Sequence, residues 1–381
     1  MESFSPEVPG SGGLPVFLVL EPGSVERRVV SLTILDRLLV TFHRARAGSI
    51  TVVSMGGRLP EIPRARALGI PFSVLDAVPV QRGKALVAGT SWWGPLDEVE
   101  RGMRSFGRWT ADDGSVLDVG VVDGLDGDWR RKLEALPATR VGPRSMRVAD
   151  AMDAIEAGRR LWQGLSSSVD GRVDRWFNRP LGRWLFSRWL VGTNVSPNQV
   201  SLAATGLGLV AGGLFCVPRK EFAVAAAIVF QASAVVDCVD GDIARAVFKE
   251  SRLGKWIDLV GDQVVHGAVF AGIATGLARG RLGDPALVLG ALAVFGAVAS
   301  FGAVLRGMRR PGGLDGPLRR IIDGATNRDF SVLVLALACV GRLDWFLWLA
   351  AIGGNVFWMV VLHQQRRRLD CGQTGQGRAS R

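Results

Sequence analysis

The amino-acid sequence predicts a multi-domain protein in which an N-terminal α/β domain precedes a C-terminal all-α domain of six transmembrane helices. Two observations carry this prediction. Residues 14–135 alternate short β-like runs with helical patterns, an order typical of a mostly parallel sheet covered by helices. From about Val200 onward, apolar residues gather into runs of roughly 20, the length that a helix needs to cross the bilayer core.

Changes in composition divide the 381 residues into five expected segments. These are an α/β domain over 1–135, a helical connector over 136–170, an interfacial amphipathic helix over 171–195, a six-span membrane domain over 196–366 and a cytoplasmic tail over 367–381. In the first segment, LPVFLVL, SITVVS, KALVAGT and VLDVGVV are the expected strands. The connector MRVADAMDAIEAGRRLWQGL has apolar residues at helical spacing.

The stretch DGRVDRWFNRPLGRWLFSRWL predicts a helix that lies in the plane of the lipid headgroups. Its apolar residues recur at steps of three to five, and arginines fill much of the remainder. The apolar set is Val173, Trp176, Phe177, Leu181, Trp184, Leu185 and Trp189, and the arginines are Arg172, Arg175, Arg179, Arg183 and Arg188. A basic helix with a tryptophan-rich face is typical of an interfacial position. The alternative is a soluble amphipathic helix packed on the α/β domain.

Six apolar runs follow this helix. They cover about 199–217, 222–244, 256–278, 285–305, 330–343 and 345–363, of which the fifth is short for a span. Arginine and lysine concentrate in the turns after the second and fourth runs and in the tail, so the positive-inside rule places these turns in the cytoplasm. We therefore expect a multi-pass protein of the cell (inner) membrane, with the N-terminal domain on the cytoplasmic side.

Charge and composition exclude several classes of function. The net charge of +11 comes largely from arginines that flank the apolar runs, which favours lipid headgroups over nucleic acid as the anionic partner. The sequence has no tyrosine, so no mechanism depends on a phenol. Its four cysteines form no CxxC pair, which argues against a zinc site or a disulfide framework.

The stretch VVDCVDGDIARAVFKESRLGKWIDLVGDQ places acidic residues on two helical stripes within apolar surroundings. Asp237, Asp240, Gly241, Ala244 and Arg245 form the first stripe, and Gly254, Asp258 and Asp262 form the second. Helices joined by a short turn pack antiparallel, so the two stripes are expected to bring the four carboxylates together. Like charges cannot share a site of low dielectric constant without a counter-charge. A carboxylate-only cluster indicates Mg²⁺ or Mn²⁺, and a phosphate-bearing substrate with it.

Two structural alternatives apply to these residues. Single carboxylates of the cluster could pair with neighbouring arginines or lysines, and the small residues could serve only close helix packing. Four ionisable groups inside the membrane are nevertheless costly, which favours a functional site.

The pattern D-x2-D-G-x2-A-R-x8-G-x3-D-x3-D between Asp237 and Asp262 resembles the signature of the CDP-alcohol phosphatidyltransferases, and SPNQVS is similar to that family's Pro-Asn start of the first span. The resemblance covers roughly residues 170–365 and implies a transferase that moves a substituted phosphate from a CDP-alcohol to a second alcohol and releases CMP. It implies that Mg²⁺ or Mn²⁺, as two ions, binds to Asp237, Asp240, Asp258 and Asp262, with Asp262 also acting as general base. The CDP-binding residues that it implies are Asp237, Gly241, Ala244, Arg245, Gly254, Pro197 and Asn198.

The α/β domain loosely resembles the Rossmann-like sugar-nucleotide nucleotidyltransferases. In place of that family's G-x-G-T/S-R loop and following lysine stands LEPGSVERRVV, and LVAGTSWW lacks the metal-binding aspartate. We therefore expect a degenerate domain without catalysis. The fusion resembles bifunctional inositol-phosphate cytidylyltransferase and di-inositol-phosphate phosphate synthase proteins, so an active cytidylyltransferase is the alternative.

The two alcohols are open at this stage. The donor is CDP-diacylglycerol or a CDP-inositol-like compound, in phospholipid or polar inositol-phosphate synthesis. Arg306, Arg309 and Arg310 are candidates to bind an anionic acceptor such as a sugar phosphate, or else they only set the topology. The family also implies a homodimer, for which the glycines of the first span allow close helix contact. Alternatives from other classes are a divalent-cation transporter and a non-catalytic membrane scaffold.

Overall fold

The computed structural model describes residues 13–24, 26–165, 171–308 and 330–376, with side chains up to residue 366. Its contacts divide the chain into two compact units. The α/β unit comprises Met1–Leu165 with Ala246–Phe248, and the helical unit comprises Ser166–Arg245 with Lys249–Arg381.

The α/β unit is built on a seven-stranded sheet. The strands of the whole unit, which also has the two-stranded sheets β2-β3 and β7-β11, are β1 (Pro15–Val19), β2 (Arg28–Val29), β3 (Leu32–Thr33), β4 (Ser49–Val53), β5 (Ser73–Leu75), β6 (Gln81–Gly89), β7 (Trp92–Trp93), β8 (Gly107–Ala111), β9 (Val116–Leu125), β10 (Ala138–Gly142) and β11 (Met146–Arg147). Its helices are α1 (Ile34–Arg44), α2 (Pro63–Ala67), α3 (Leu96–Met103), α4 (Trp129–Glu134) and α5 (Ala151–Gly164).

The strand order in the main sheet is β10-β8-β9-β6-β1-β4-β5. Strand β1 is parallel to both neighbours, with Leu18 opposite Val52 of β4 and Ala88 of β6, and only β9 runs antiparallel to its neighbours. A central parallel strand is covered on both faces, and β1 accordingly reads PVFLV without a polar residue. The predicted α/β domain with a mostly parallel sheet is confirmed.

The end of this unit differs from the predicted boundary at residue 135. Strand β10 pairs in parallel with β8 and β11 pairs antiparallel with β7, so both belong to the α/β unit. Within the predicted connector over 136–170, the described helix is α5 alone. The two strands are short and pair with segments far away in the sequence, which local periodicity does not reveal.

The helical unit begins with a helix over 172–190, named α6, in which two π turns (Asp174–Asn178 and Arg183–Ser187) alternate with α turns. The helices that follow are α7 (Pro197–Phe215), α8 (Lys220–Ala246), α9 (Arg252–Leu277), α10 (Pro285–Met308), α11 (Phe330–Val340) and α12 (Leu343–Gln376). Among the described residues, five helices are long and apolar enough to cross a membrane, namely α7, α8, α9, α10 and α12. The expected fifth span corresponds to α11, which at 11 residues is shorter than these.

Glycines allow α7 and α9 to pack closely within the helical unit. A Cβ on Gly272 would lie 2.1 Å from the carbonyl oxygen of Gly212, and a Cβ on Gly208 would lie 2.5 Å from the side chain of Val265. Two of the glycines expected to allow dimer contacts, Gly208 and Gly212, are therefore used inside the chain. The other two, Gly206 and Gly213, have open space where a Cβ would be.

Candidate active site

Two helices position three carboxylates around one point. Asp237 and Asp240 lie one turn apart on α8, and Asp258 lies near the start of α9. One oxygen from each of the three carboxylates lies within 4.8 Å of the others. Ser251 caps α9 by accepting a hydrogen bond of 2.9 Å from the backbone N–H of Gly254. The start of α9, and with it the position of Asp258, is therefore specified locally.

Helix α7 contributes a hydroxyl to this cluster. The Ser201 hydroxyl donates to the Asp240 carboxylate, and both residues are buried. A capping box of Ser196 and Gln199 starts α7, with Pro197 at its first position, so that Ser201 follows one turn later. The SPNQVS sequence thus brings a third helix to the carboxylates.

A cavity of about 260 Å³ opens beside Asp240 and Asp258. The residues that line this cavity include six of those implied to bind CDP, namely Pro197, Asn198, Gly241, Ala244, Arg245 and Gly254. It is also lined by Ser201, Lys249, Glu250, Ser251 and Lys255, which the sequence analysis did not single out. Lys249 and Lys255 are visible in the sequence as charges at variable positions within the motif, but their distance from the carboxylates depends on the turn between α8 and α9.

The motif glycines give side chains access to the cavity. A Cβ on Gly254 would lie 2.8 Å from the Asn198 side-chain oxygen, and a Cβ on Gly241 would lie 3.3 Å from both terminal nitrogens of Arg245. A larger residue at either position would displace a polar group from the cavity.

The structure brings together three of the four predicted carboxylates. Asp262 lies on α9, one turn beyond Asp258, and is outside the group of oxygens within 4.8 Å. Its two predicted roles, metal ligand and general base, stay predictions.

A fifth aspartate of the same stretch was overlooked in the sequence. Asp242 is 1% exposed and accepts hydrogen bonds from Arg179, Arg183 and Arg245. The helix α6 therefore does not present all its arginines to solvent or headgroups, because Arg179 and Arg183 point into the helical unit. An aspartate within an apolar run requires a partner, and the i, i+4 spacing of Arg179 and Arg183 was the available signal.

Of the three predicted acceptor arginines, the structure describes one. Arg306 is exposed in the last turn of α10. Arg309 and Arg310 lie outside the described residues.

The donor set fits a hard divalent cation. The three cluster residues offer only carboxylate oxygens, which Mg²⁺ and Mn²⁺ prefer, whereas zinc and softer metals favour nitrogen and sulfur ligands. Gathering three acids within 4.8 Å concentrates negative charge, which a bound cation would compensate.

In the α/β unit, the carboxyl ends of β1 and β6 mark the point where strand order reverses, with β4 on one side of β1 and β6 on the other. Such switch points are the usual ligand crevices of parallel sheets. Here the buried Glu21 side chain packs against Gly89 at the end of β6 and pairs with Arg130. The Glu21 backbone N–H donates to Thr90 Oγ1 at 3.1 Å, and Ser24 also bonds to that hydroxyl. A carboxylate of the chain itself thus lies buried at this switch point.

A comparison with protein families finds a match for part of the helical unit. Residues 194–352 match the family described as CDP-alcohol phosphatidyltransferase. This segment is a CDP-alcohol phosphatidyltransferase domain. The match contains α7 to α11, the carboxylate cluster and the residues that line the cavity. The suspected family is confirmed for this domain.

Three relatives are similar to parts of this chain. Phosphatidylinositol phosphate synthase of Streptomyces avermitilis is 39% identical over 110 residues, which are 29% of this chain and 43% of the relative. Proteins named bifunctional IPC transferase and DIPP synthase are 30% identical in Thermococcus kodakarensis (33% of this chain, 28% of the relative) and 36% identical in Rubrobacter xylanophilus (45% and 37%). The chain thus spans less than half the length of each relative. A structure of Mycobacterium tuberculosis phosphatidylinositol phosphate synthase with CDP-DAG bound superposes at a TM-score of 0.40, with 22% identity over 49% of this chain and 92% of the other.

Proposed function

We propose that the CDP-alcohol phosphatidyltransferase domain transfers a substituted phosphate from a CDP-alcohol to the hydroxyl of a second alcohol and releases CMP. The observation that carries this proposal is the position of the three-carboxylate cluster at a cavity lined by the complete Gly241, Ala244 and Arg245 set. A cation transporter would need the acids but not a phosphate-binding fork beside them, and a non-catalytic scaffold would not need the acids.

The residues that line the cavity suit two parts of the donor, its diphosphate and its cytidine. Arg245, Lys249 and Lys255 are the cations of the cavity and suit the diphosphate, which Arg can engage through two nitrogens. The motif glycines leave room for the nucleotide to approach the helix backbones. Asn198 and Ser251 offer polar groups for the cytidine.

In the reaction, a bond forms between the acceptor oxygen and the phosphorus that carries the donor alcohol, and the bond from that phosphorus to the CMP oxygen breaks. Asp262 takes the proton of the acceptor hydroxyl, and CMP leaves as an anion. Two ions of Mg²⁺ or Mn²⁺, held by Asp237, Asp240 and Asp258 with Asp262, would supply neutralisation of the charge on the leaving phosphate. Arg245 holds the diphosphate in line for the displacement.

Purified protein should release CMP when Mg²⁺ or Mn²⁺, a CDP-alcohol and an acceptor are all present. The panel contains CDP-diacylglycerol and CDP-inositol as donors, and glycerol phosphate, inositol and inositol phosphate as acceptors. We expect one donor and acceptor pair to give a new product by mass and EDTA to stop it. Absence of CMP release with every pair would contradict the proposed reaction.

We propose that the α/β unit is non-catalytic. The Glu21 carboxylate in the switch-point crevice would repel the triphosphate of CTP, and the phosphate-binding glycine loop is missing. The rival is a bifunctional enzyme with an active cytidylyltransferase, which the names of the bifunctional relatives favour.

Incubation with CTP, Mg²⁺ and inositol phosphate distinguishes a non-catalytic α/β unit from an active cytidylyltransferase. We expect no pyrophosphate and no CDP-inositol from the full chain, while the same preparation releases CMP from a supplied CDP-alcohol. Formation of CDP-inositol would establish the bifunctional alternative.

The proposed location is the cell (inner) membrane, with the active site on the cytoplasmic side, where soluble CDP compounds are available. Helix α6 is proposed to lie at the headgroup level. Its exposed side carries Trp176, Trp184 and Trp189 at 80%, 69% and 76% exposure, while Asn178 and Ser187 on the other side are buried. This proposal also includes a six-span arrangement with α11 as the fifth span. It further includes an anionic acceptor near Arg306 and a homodimer.

A further inference from the structure

Asp242 belongs to the helical unit but not to the carboxylate cluster. It follows Asp240 by two residues, so its side chain leaves α8 about 200° around the helix from that of Asp240. At 1% exposure it is one of the most buried charged groups among the described residues.

Three guanidinium groups share this single carboxylate. Oδ1 accepts from Arg179 at 2.6 Å and from Arg245 at 3.1 Å, and Oδ2 accepts from Arg183 Nε at 2.6 Å. Arg183 adds a second bond of 3.3 Å to Oδ1, which makes its contact bidentate. The two shortest contacts thus come from α6 and fix Asp242 in one orientation.

Arg245 connects this group to the donor cavity. It lines the cavity, its guanidinium lies over Gly241, and its side chain is 32% exposed, against 10% for Arg179 and 14% for Arg183. The anchored side of Arg245 therefore faces Asp242, and the remainder of the guanidinium is available to the cavity.

We propose that Asp242 is a positioning residue for donor binding, acting through Arg245, with Arg179 and Arg183 as its anchors. This inference rests on the proposed function, in which Arg245 binds the donor diphosphate. Because three cations share one carboxylate, positive charge stays in excess, and Arg245 keeps its attraction for phosphate while its long side chain is held in one rotamer. The same contacts link the tryptophan-bearing helix α6 to the donor cavity.

The variant Asp242→Asn tests this inference because it keeps the side-chain shape and removes the charge. We expect the KM for the CDP-alcohol to rise on the order of tenfold, with kcat at saturating donor changed by less than about threefold. The affinity for CDP alone, measured by calorimetry, should fall by the same factor. Asp242→Glu, which restores the charge, should recover part of the lost affinity.

Gln231→Ala is the matched control. Gln231 on α8 donates to the Asn178 side chain of α6 at 2.6 Å, so its removal also loosens α6 without touching Arg245. We expect its donor KM to stay within about twofold of the wild-type value. Equal rises in donor KM for Asp242→Asn and Gln231→Ala would overturn the inference, since the effect would then be one of helix packing.

Arg183→Lys covers the case in which Asp242→Asn does not fold. Lysine keeps the charge but loses the bidentate contact, and Arg183 is not among the residues that line the cavity. A donor KM raised about threefold supports the inference, and an unchanged KM overturns it. If the wild type binds CDP but releases CMP from no donor, the proposed reaction is contradicted. The CDP affinities of the same variants then still test the role of Asp242.

Discussion

Asp240→Asn is expected to lose CMP release by on the order of 10³-fold or more. Asp240 is the buried member of the carboxylate cluster, and asparagine cannot supply the charge that holds a divalent cation. Charge stabilisation by such a cation contributes several kcal/mol in the transition state, and each ~1.4 kcal/mol corresponds to a tenfold change in rate. The measurement is CMP release at saturating donor, with Mg²⁺ or Mn²⁺ varied.

Thermal unfolding gives a second measurement for the same variant. A ligand that binds only the folded state stabilises it, so Mn²⁺ should raise the Tm of the wild type and have little effect on Asp240→Asn. Without metal, the variant should be at least as stable as the wild type, since it removes one of three neighbouring negative charges. The control is Asp284→Asn, an exposed carboxylate after α9 that should keep both activity and the Mn²⁺ shift. A full Mn²⁺ shift in Asp240→Asn would show that the metal binds elsewhere.

Asp262→Asn is expected to lose turnover by about 10²- to 10⁴-fold while it still binds the donor. Asp262 lies outside the three-carboxylate group, so its loss should leave most of the metal and CDP binding in place. The variant should retain the Mn²⁺-dependent rise in Tm and a CDP affinity close to that of the wild type. Single-turnover CMP release measures the chemical step directly.

Metal and donor binding separate the two roles proposed for Asp262. If its carboxylate accepts the acceptor proton, Asp262→Asn loses the chemical step and keeps both the Mn²⁺ shift and CDP binding. Loss of both the Mn²⁺ shift and CDP binding would instead identify Asp262 mainly as a metal ligand. Turnover equal to that of the wild type would eliminate it as the base.

Much of the candidate site could be predicted from the sequence because it depends on helical spacing. Asp237 and Asp240 are three residues apart on one helix, and Asp258 follows after a short turn, so their convergence needs only two antiparallel helices. The α/β sheet could be predicted from the sequence for a similar reason, because buried parallel strands are continuous apolar runs.

Other parts depended on partners that are distant in the sequence. The Ser201 hydroxyl reaches Asp240 across 39 residues, and Arg179 reaches Asp242 across 63. Strand β10 lies within the segment that local periodicity predicts as a helical connector, and it is a strand because it pairs with β8. Gly208 and Gly212 suggested an interface between two chains, but they pack against α9 of their own chain.

The sequence by itself determined the family of the membrane domain, the apolar lengths of its helices and the stripe of acids, because each of these is a local repeat of residue type. Only the tertiary structure decided which side chains share a site. It separated Asp242 from Asp240, although the two are neighbours on α8, because successive residues leave a helix in different directions and meet different partners. It also placed Glu21 against Gly89 at the switch point of the α/β sheet, since that contact depends on β1 and β6 being neighbours in the sheet.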